Sequence, residues 1–230
     1  MNHSIMHLRS LVSLVVALVA IPLLSASDER KSLVTQIESC EAILREFQAK
    51  PATAVPADVL RKAKAIVIVN EFQAGFIFGA KGGYGVALVK RADGRWSVPT
   101  FLGAGEASLG LQLGAKTVNT VYVINDEVGA RLLYNARFNF GADAGAVAGP
   151  RAAGVQEATQ IIKAPVYVYQ KNSGLFAGAK VKTGWLTAEN SNNRLFYNTL
   201  RTMPELLFAD WITPPEEVQP LMRYLQEISQ

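Results

Sequence analysis

One short pattern, Gly-x-x-x-Gly-Ala-Lys, occurs three times in this chain, at Gly75 to Lys81, Gly110 to Lys116 and Gly174 to Lys180. A fourth copy, Gly141 to Val147, keeps both glycines and ends in valine instead of lysine. The copies start 35, 31 and 33 residues apart, regular enough to be read as a repeated structural unit. Glycines four apart would each cost a helix about 1 kcal/mol relative to alanine. In a strand, Gly75, Ile77, Gly79 and Lys81 would share one face, with Phe76, Phe78 and Ala80 on the other. Each copy is therefore expected to be one strand whose glycines permit a bend or the close approach of another backbone. The lysine would leave on the glycine face.

The segments around these strands carry clear signals. Asp28 to Lys50 reads as an amphipathic helix. Its apolar stripe is Leu33, Ile37, Cys40, Leu44 and Phe47, and its opposite face carries Arg30, Lys31, Glu38, Glu41, Arg45 and Glu46. A helix lying on a membrane would be richer in Lys and Arg, so this one is expected to pack on the body of the protein. Pro51 to Pro56 is a linker and Ala57 to Lys64 a short helical turn. The unbroken apolar run Ala65 to Val69 predicts a strand buried on both faces. Gly82-Gly83 reads as a turn, Tyr84 to Lys90 as a strand, and Ala92-Asp93-Gly94 as a hairpin turn. Pro99 marks Arg95 to Phe101 as an edge strand or a bulge. Val121 to Ile124 and Val166 to Tyr169 are further strands, and Glu127 to Asn135 a short helix. Helices are expected at 191–200, 204–208 and 215–228, the last with Val218, Leu221, Leu225 and Ile228 on its apolar face. Helices at both ends of many short strands predict an α+β fold. Its sheet would be mainly antiparallel, glycine-rich and strongly curved or barrel-like. The expected divisions are 1–27 as a signal peptide, 28–56 as an N-terminal helix and linker, 57–200 as the core and 201–230 as a C-terminal helical extension.

The first division rests on Arg9, the apolar run Leu11 to Leu24 and the small residues Ser25-Ala26-Ser27, the three parts of a secretory signal peptide with cleavage before Asp28. An uncleaved N-terminal anchor is the alternative. The only histidines, His3 and His7, leave with this segment, and Cys40 is the single cysteine. A mature chain without histidine excludes a Ser-His-Asp triad, a Cys-His pair and the usual zinc sites. Cys40 falls on the apolar stripe of the first helix, which makes it a core residue; pairing between chains is the alternative. Gly110 to Thr117 is no phosphate-binding loop, because Ala115 separates glycine from lysine. Gly105 to Gly110 is no nucleophile elbow. Glu71, Glu106, Asp126, Glu127 and Asp143 lie near turns, and nothing in the sequence pairs them for acid–base work. Asp143 stands among small residues in the fourth copy, which requires a donor partner or a wet face. The formal net charge of +4 permits attraction to anionic surfaces, and no nucleic-acid motif or basic arm accompanies it. Lys81, Lys116 and Lys180 would emerge at corresponding positions as a cationic rim, widened by Lys62, Lys64, Lys90 and Arg91. The other reading is that these lysines keep strand edges soluble.

Several stretches in order carry a family resemblance. They are Lys64 to Val69, Ala74-Gly75-Phe76 with Gly83 to Val89, Gly94 to Pro99, Ser108 to Gly114, Phe138 to Ala144, Ala148-Gly149-Pro150 and Gly174 to Gly178. At these residues the chain resembles the SYLF-domain family, a lipid-binding domain also known as the actin-binding domain of a yeast endocytic protein. The likeness covers about Ala57 to Tyr197, with Asn70 standing where the family often has proline. It implies a binding domain and no enzyme, with no catalytic residue, cofactor or metal ligand to carry over. Eukaryotic members bind phosphoinositides, partly through an N-terminal amphipathic helix, and some bind actin filaments; bacterial members are commonly exported. The expectation is an exported, non-enzymatic, periplasmic or envelope-associated domain that meets anionic lipid or membrane surfaces. Its candidate lipid-binding residues are Lys81, Lys116, Lys180, Lys62, Lys64, Phe76, Phe78 and Phe176. The alternative is a structural or protein-interaction module of the envelope; a carboxylate-based glycan hydrolase is a third and weaker reading.

Overall fold

Four long strands form the centre of the molecule: β1 (Ala65–Gly75), β2 (Phe78–Val89), β3 (Thr100–Leu109) and β4 (Gly114–Ile124). The computed structural model describes residues 27–75, 78–109, 114–141, 147–148, 166–172 and 184–230. Four shorter strands complete the sheet: β5 (Arg137–Phe138), β6 (Val147–Ala148), β7 (Val166–Asn172) and β8 (Trp185–Ala188). The order across the sheet is β5-β8-β3-β2-β1-β4-β7-β6. Every pairing is antiparallel except that of β6 with β7. The sheet is a curled half-barrel with helices from both ends of the chain, as an α+β fold requires. Strands consecutive in the chain, β3 and β4 and then β7 and β8, lie on opposite sides of the β1–β2 pair.

Three connections lie at one end of this sheet. The chain turns there between β1 and β2, crosses from β3 to β4, and leaves β7 beyond Asn172, which pairs with Val118, to re-enter β8 at Trp185, opposite Gly105. These are the places of the three lysine-bearing copies. The first copy is not one strand, because Gly75 ends β1 and Phe78 opens β2. Of the second copy, the described residues Gly114 to Lys116 open β4. Register explains the shared sequence. Gly79-Ala80-Lys81 and Gly114-Ala115-Lys116 lie on the two sides of β1 as Cα partners of the same Gly75, Ala74 and Gln73. Alternation of side chains survives a chain reversal, so periodicity alone does not separate a continuing strand from a connection. The third copy and Asp143 lie outside the described residues.

Gly82-Gly83 is also not a turn; both residues lie inside β2. The reason is the neighbouring backbone, since a Cβ at Gly83 would sit 2.1 Å from the carbonyl oxygen of Asn70. The hairpin turn at residues 92–94 is present, closed by hydrogen bonds from the Arg91 amide to the Arg95 carbonyl (2.8 Å) and from the Gly94 amide to the Arg91 carbonyl (2.9 Å). Arg95 to Phe101 is not a full strand. A single bridge joins Lys90 and Trp96, regular pairing starts at Thr100, and the Ser97 hydroxyl receives the Val89 amide at 3.0 Å.

Both faces of the sheet are covered near the opposite end, as the unbroken apolar strand Ala65 to Val69 requires. On one face Ile66, Ile68, Val86, Leu88, Val121 and Val123 meet α1 (27–48) and α6 (Gln219–Ile228). The stripe Leu33, Ile37, Cys40, Leu44 and Phe47 is entirely buried. Each of its larger side chains contributes about 1.5–3 kcal/mol by leaving water. Cys40 is a free, buried thiol whose titration burial pushes up to about 12. On the other face Val67, Val69, Val89, Tyr122 and Ile124 meet Leu133, Phe138, Phe140, Met203 and Leu207. Here α3 (Glu127–Arg131), a following 3-10 turn and α5 (Met203–Phe208) supply the cover. α2 (Ala57–Lys62) precedes β1, and α4 (Asn190–Tyr197) packs on β3.

The two chain ends are clasped together. Arg30 pairs with Glu217 at 2.7 Å and Arg45 lies 3.9 Å over the ring of Tyr224. The Trp96 indole donates to the Ser229 hydroxyl at 2.9 Å in a buried contact. Asn193 of α4 is fully buried and its amide oxygen accepts the Phe101 backbone N–H at 2.9 Å. β8 pairs with β3 from Leu102 to Gly105, so at residue 101 the asparagine side chain stands in for a strand.

A glycine-floored groove at the candidate functional site

The connection-bearing end of the sheet holds the first candidate feature. Across four strands the register runs Glu106, Lys81, Gln73, Lys116, which sets both lysines beside Gln73 in one row. Three residues into β1 from Gly75, Phe72 presents an aromatic ring that is 53% exposed. Among the described residues, the two buried apolar clusters take no residue of β1 beyond Val69.

The eight residues singled out by sequence do not form one surface. Lys81 and Lys116 are neighbours through Gln73. Lys64 lies at the other end, where its backbone amide bonds the Ile124 carbonyl at 2.7 Å. Nine residues of β1, roughly 30 Å of strand, separate it from Gln73. Its ammonium stands 3.6 Å from the Glu127 carboxylate. Lys62 is exposed in the last turn of α2, at that same far end. Lys90 lies there too, its ammonium donating to the Arg61 and Ser229 carbonyls and its pKa lowered by desolvation. Phe78 opens β2 at the connection end. Phe76, Phe176 and Lys180 lie outside the described residues.

A second feature escaped the sequence reading. On the face that carries α1, the row Trp185, Gly105, Gly82, Phe72 runs across four strands. Two glycines between two exposed aromatics leave a trough about three strand spacings wide, roughly 14 Å. The next row is Arg137, Thr187, Gly103, Tyr84. The groove formed here has a volume of about 910 Å³. The Arg137 guanidinium lies 4.6 Å over the Trp185 ring, a cation–π contact. Glu189 precedes α4 at its N-cap, yet its carboxylate makes no capping bond. It lies over Gly103, where an added Cβ would fall 2.5 Å from its Oε1. Neither Arg137 nor Glu189 has an ion-pair partner among the described residues. The groove residues come from β2, β3, β5, β8 and the start of α4, and no local motif links such distant segments. The only signal in the sequence was the density of glycine at 82, 83, 103 and 105.

A third feature is an exposed aromatic cluster. Tyr134 stacks on Phe208 at 4.5 Å with an interplanar angle of 9°, and Arg201 lies 5.4 Å over Trp211. Among the described residues no group of acidic, His or Cys side chains could hold a metal ion, and no helix is long and apolar enough to cross a membrane.

A curled α+β sheet with helices from both ends of the chain and an open groove on one face defines the architecture. The chain belongs to the Ysc84 (SYLF) family, whose model, described as Las17-binding protein actin regulator, matches residues 105–228. It is similar to the bovine SH3 domain-containing YSC84-like protein 1, at 29% identity over 206 residues, covering 86% of this chain and 60% of that protein. It is also similar to LAS seventeen-binding protein 3 of Saccharomyces cerevisiae, at 29% identity over 85% of this chain and 44% of that protein. Protein YSC84 of the same yeast is 28% identical over 85% of this chain and 44% of its own length. The chain thus spans between 44% and 60% of the length of these relatives. No solved structure matches it.

Proposed function

We propose that this chain is an exported, non-enzymatic binding domain that docks on anionic lipid surfaces of the cell envelope through the connection-bearing end of its sheet. The observation that carries this reading is the register that places Lys81 and Lys116 in one row with Gln73, two residues from the end of β1, while Phe72, 53% exposed, belongs to the neighbouring row on the opposite face of the same end of the sheet. Cations that meet headgroups, with an exposed aromatic ring at the same end of the fold, are the chemistry of peripheral membrane attachment. The net charge of +4 has the matching sign. Lys180, which the third copy of the pattern carries, is included by its sequence alone. Export rests on the N-terminal pattern of Arg9, the apolar run and Ser25-Ala26-Ser27.

Co-sedimentation with phosphatidylglycerol vesicles at low and high salt tests this reading. Binding at low salt that weakens as salt rises is expected. Changing Lys81, Lys116 and Lys180 together to alanine should weaken binding and flatten its salt dependence. Failure to bind anionic vesicles at low salt refutes the proposal, and unchanged binding of the triple variant refutes the role of the lysines.

A second reading is favoured by the exposed cluster of Tyr134, Phe208, Trp211 and Arg201. Trp, Tyr and Arg dominate the energetic centres of protein interfaces. The names of two relatives state that they bind LAS seventeen. A protein-interaction module would retain a stoichiometric partner in pull-down without lipid and lose it on Trp211→Ala.

A further inference from the structure

The groove beside Trp185 carries two charged groups that have no ion-pair partner among the described residues. Arg137 is a Cα partner of Thr187, and its guanidinium is held over Trp185. Glu189 lies two residues beyond Thr187, roughly 7 Å further along the backbone. Its carboxylate occupies space that exists only because residue 103 is glycine. Glu189 makes no capping bond to α4, and its carboxylate lies over the floor of the groove. One wall therefore offers a fixed cation beside an aromatic ring, and the same wall offers a fixed anion further along. Between them lie the Thr187 hydroxyl and bare strand backbone.

A simple anion would meet repulsion from Glu189, and a simple cation repulsion from Arg137. A molecule carrying both charges satisfies both walls. Guanidinium matches a phosphate or carboxylate with paired donors. The Glu189 carboxylate matches an ammonium by charge. The volume of about 910 Å³, over Gly83, Gly103 and Gly105, lies within the range of sites for small ligands. We infer that this groove binds a zwitterion that joins a phosphate to an ammonium, the chemistry of phosphoethanolamine, either free or as the headgroup of a lipid. The phosphate sits at Arg137, the ammonium at Glu189, and apolar carbons attached to the head run over Gly105 and Gly82 towards Phe72. For the lipid-borne source, this inference rests on the membrane-docking function proposed above.

Titration of the full chain with soluble phosphoethanolamine, followed by calorimetry and by the Trp185 indole N–H resonance, tests the site. Ethyl phosphate, which lacks the amine, is the comparison ligand. Binding of phosphoethanolamine with a shift at Trp185, and at least about tenfold weaker binding of ethyl phosphate, is expected for a lost charge-assisted contact. Glu189→Gln should remove that preference, and Arg137→Gln should weaken both ligands about tenfold or more. Both side chains lie at the surface, so an unchanged melting temperature confirms that each variant is folded. Equal binding of the two ligands, no binding of either, or full binding by both variants overturns the inference.

Vesicles separate the two sources. Phosphatidylglycerol vesicles with and without phosphatidylethanolamine are compared for the wild type and both variants. Tighter binding in the presence of the ethanolamine lipid, lost in both variants, supports a lipid-borne headgroup. Binding to phosphatidylglycerol alone, with no response to ethanolamine lipid or to soluble phosphoethanolamine, overturns the groove and leaves membrane docking standing. Binding of soluble phosphoethanolamine with no vesicle binding of either kind supports a free zwitterion as ligand and refutes membrane docking.

Discussion

Asn193→Ala isolates the contact that joins α4 to the sheet. The asparagine is fully buried, and its Oδ1 accepts the Phe101 amide at 2.9 Å. Its Nδ2 donates to the Phe101 carbonyl at 3.5 Å, which is long, and that carbonyl also receives the Glu189 amide at 3.1 Å. Removing the side chain therefore orphans one group, the Phe101 N–H, and spares the carbonyl. A buried amide left without an acceptor costs about 1–3 kcal/mol. The central value of about 2 kcal/mol corresponds to a fall of roughly 4–8 °C in melting temperature for a chain of this size. In urea, with a slope of about 2 kcal/mol per molar, the midpoint should move down by about 1 M at unchanged slope. Hydrogen exchange should show the loss at Phe101 specifically. Asn193→Asp retains the acceptor and buries a carboxyl. Its folded pKa rises above the unfolded value, so its penalty is absent in acid and grows as pH rises past about 4. A change within about 0.5 kcal/mol for the alanine variant, or unaltered protection at Phe101, would refute the idea that one side chain substitutes for a strand here.

Other predictions concern the clasp and its surroundings. Glu205 is held down to about 2, first by the Thr202 backbone amide, then by the Thr202 hydroxyl and Arg201. Its depressed pKa stabilises the fold above its ordinary value of 4.5, and that contribution is lost as pH falls towards 2. Glu205→Gln should accordingly flatten the melting temperature between these limits relative to the wild type. Cys40, fully buried with its titration pushed up to about 12, should react with a thiol reagent only at the rate of unfolding. Rapid stoichiometric reaction of the native protein would contradict that burial. Trp96→Phe and Ser229→Ala should each cost about 1–2 kcal/mol in urea unfolding. The double variant should cost less than their sum, because both remove the same bond.

The elements that the sequence announced are those whose causes are local. The stripe from Leu33 to Phe47 and the doubly buried run Ala65 to Val69 depend on residues within a few turns or pleats of each other, and both are present. So is the turn at Ala92-Asp93-Gly94. Where a distant partner decides, local reading failed. Gly82-Gly83 has the composition of a turn, but its place in β2 is set by the Asn70 carbonyl of the adjacent strand. The repeated pattern was visible, while its division between two strands became clear only from the shared register with Gly75, Ala74 and Gln73. The lysines showed the same limit. Equal motifs brought Lys81 and Lys116 together, whereas Lys62 and Lys64, similar in composition, lie a full strand length away. The groove was not legible at all, because Arg137, Trp185 and Glu189 acquire their relation to Gly103 and Gly105 only when β8 aligns with β3.

The clasp between the chain ends has a consequence for how this protein comes into being. A ribosome releases the chain from its N-terminus, so α1 emerges before every strand of the sheet. The face it must cover waits for β4 and β7, and its second neighbour, α6, comes more than 170 residues after α1 ends. The Trp96 indole meets its partner only when residue 229 arrives. Contacts of such sequence separation slow folding. Until α6 is in place Leu33, Ile37, Leu44 and Phe47 form an unshielded apolar ridge, available to any factor that holds nascent chains open. The order of synthesis thus delays closure of this core, and α6 acts as the timer.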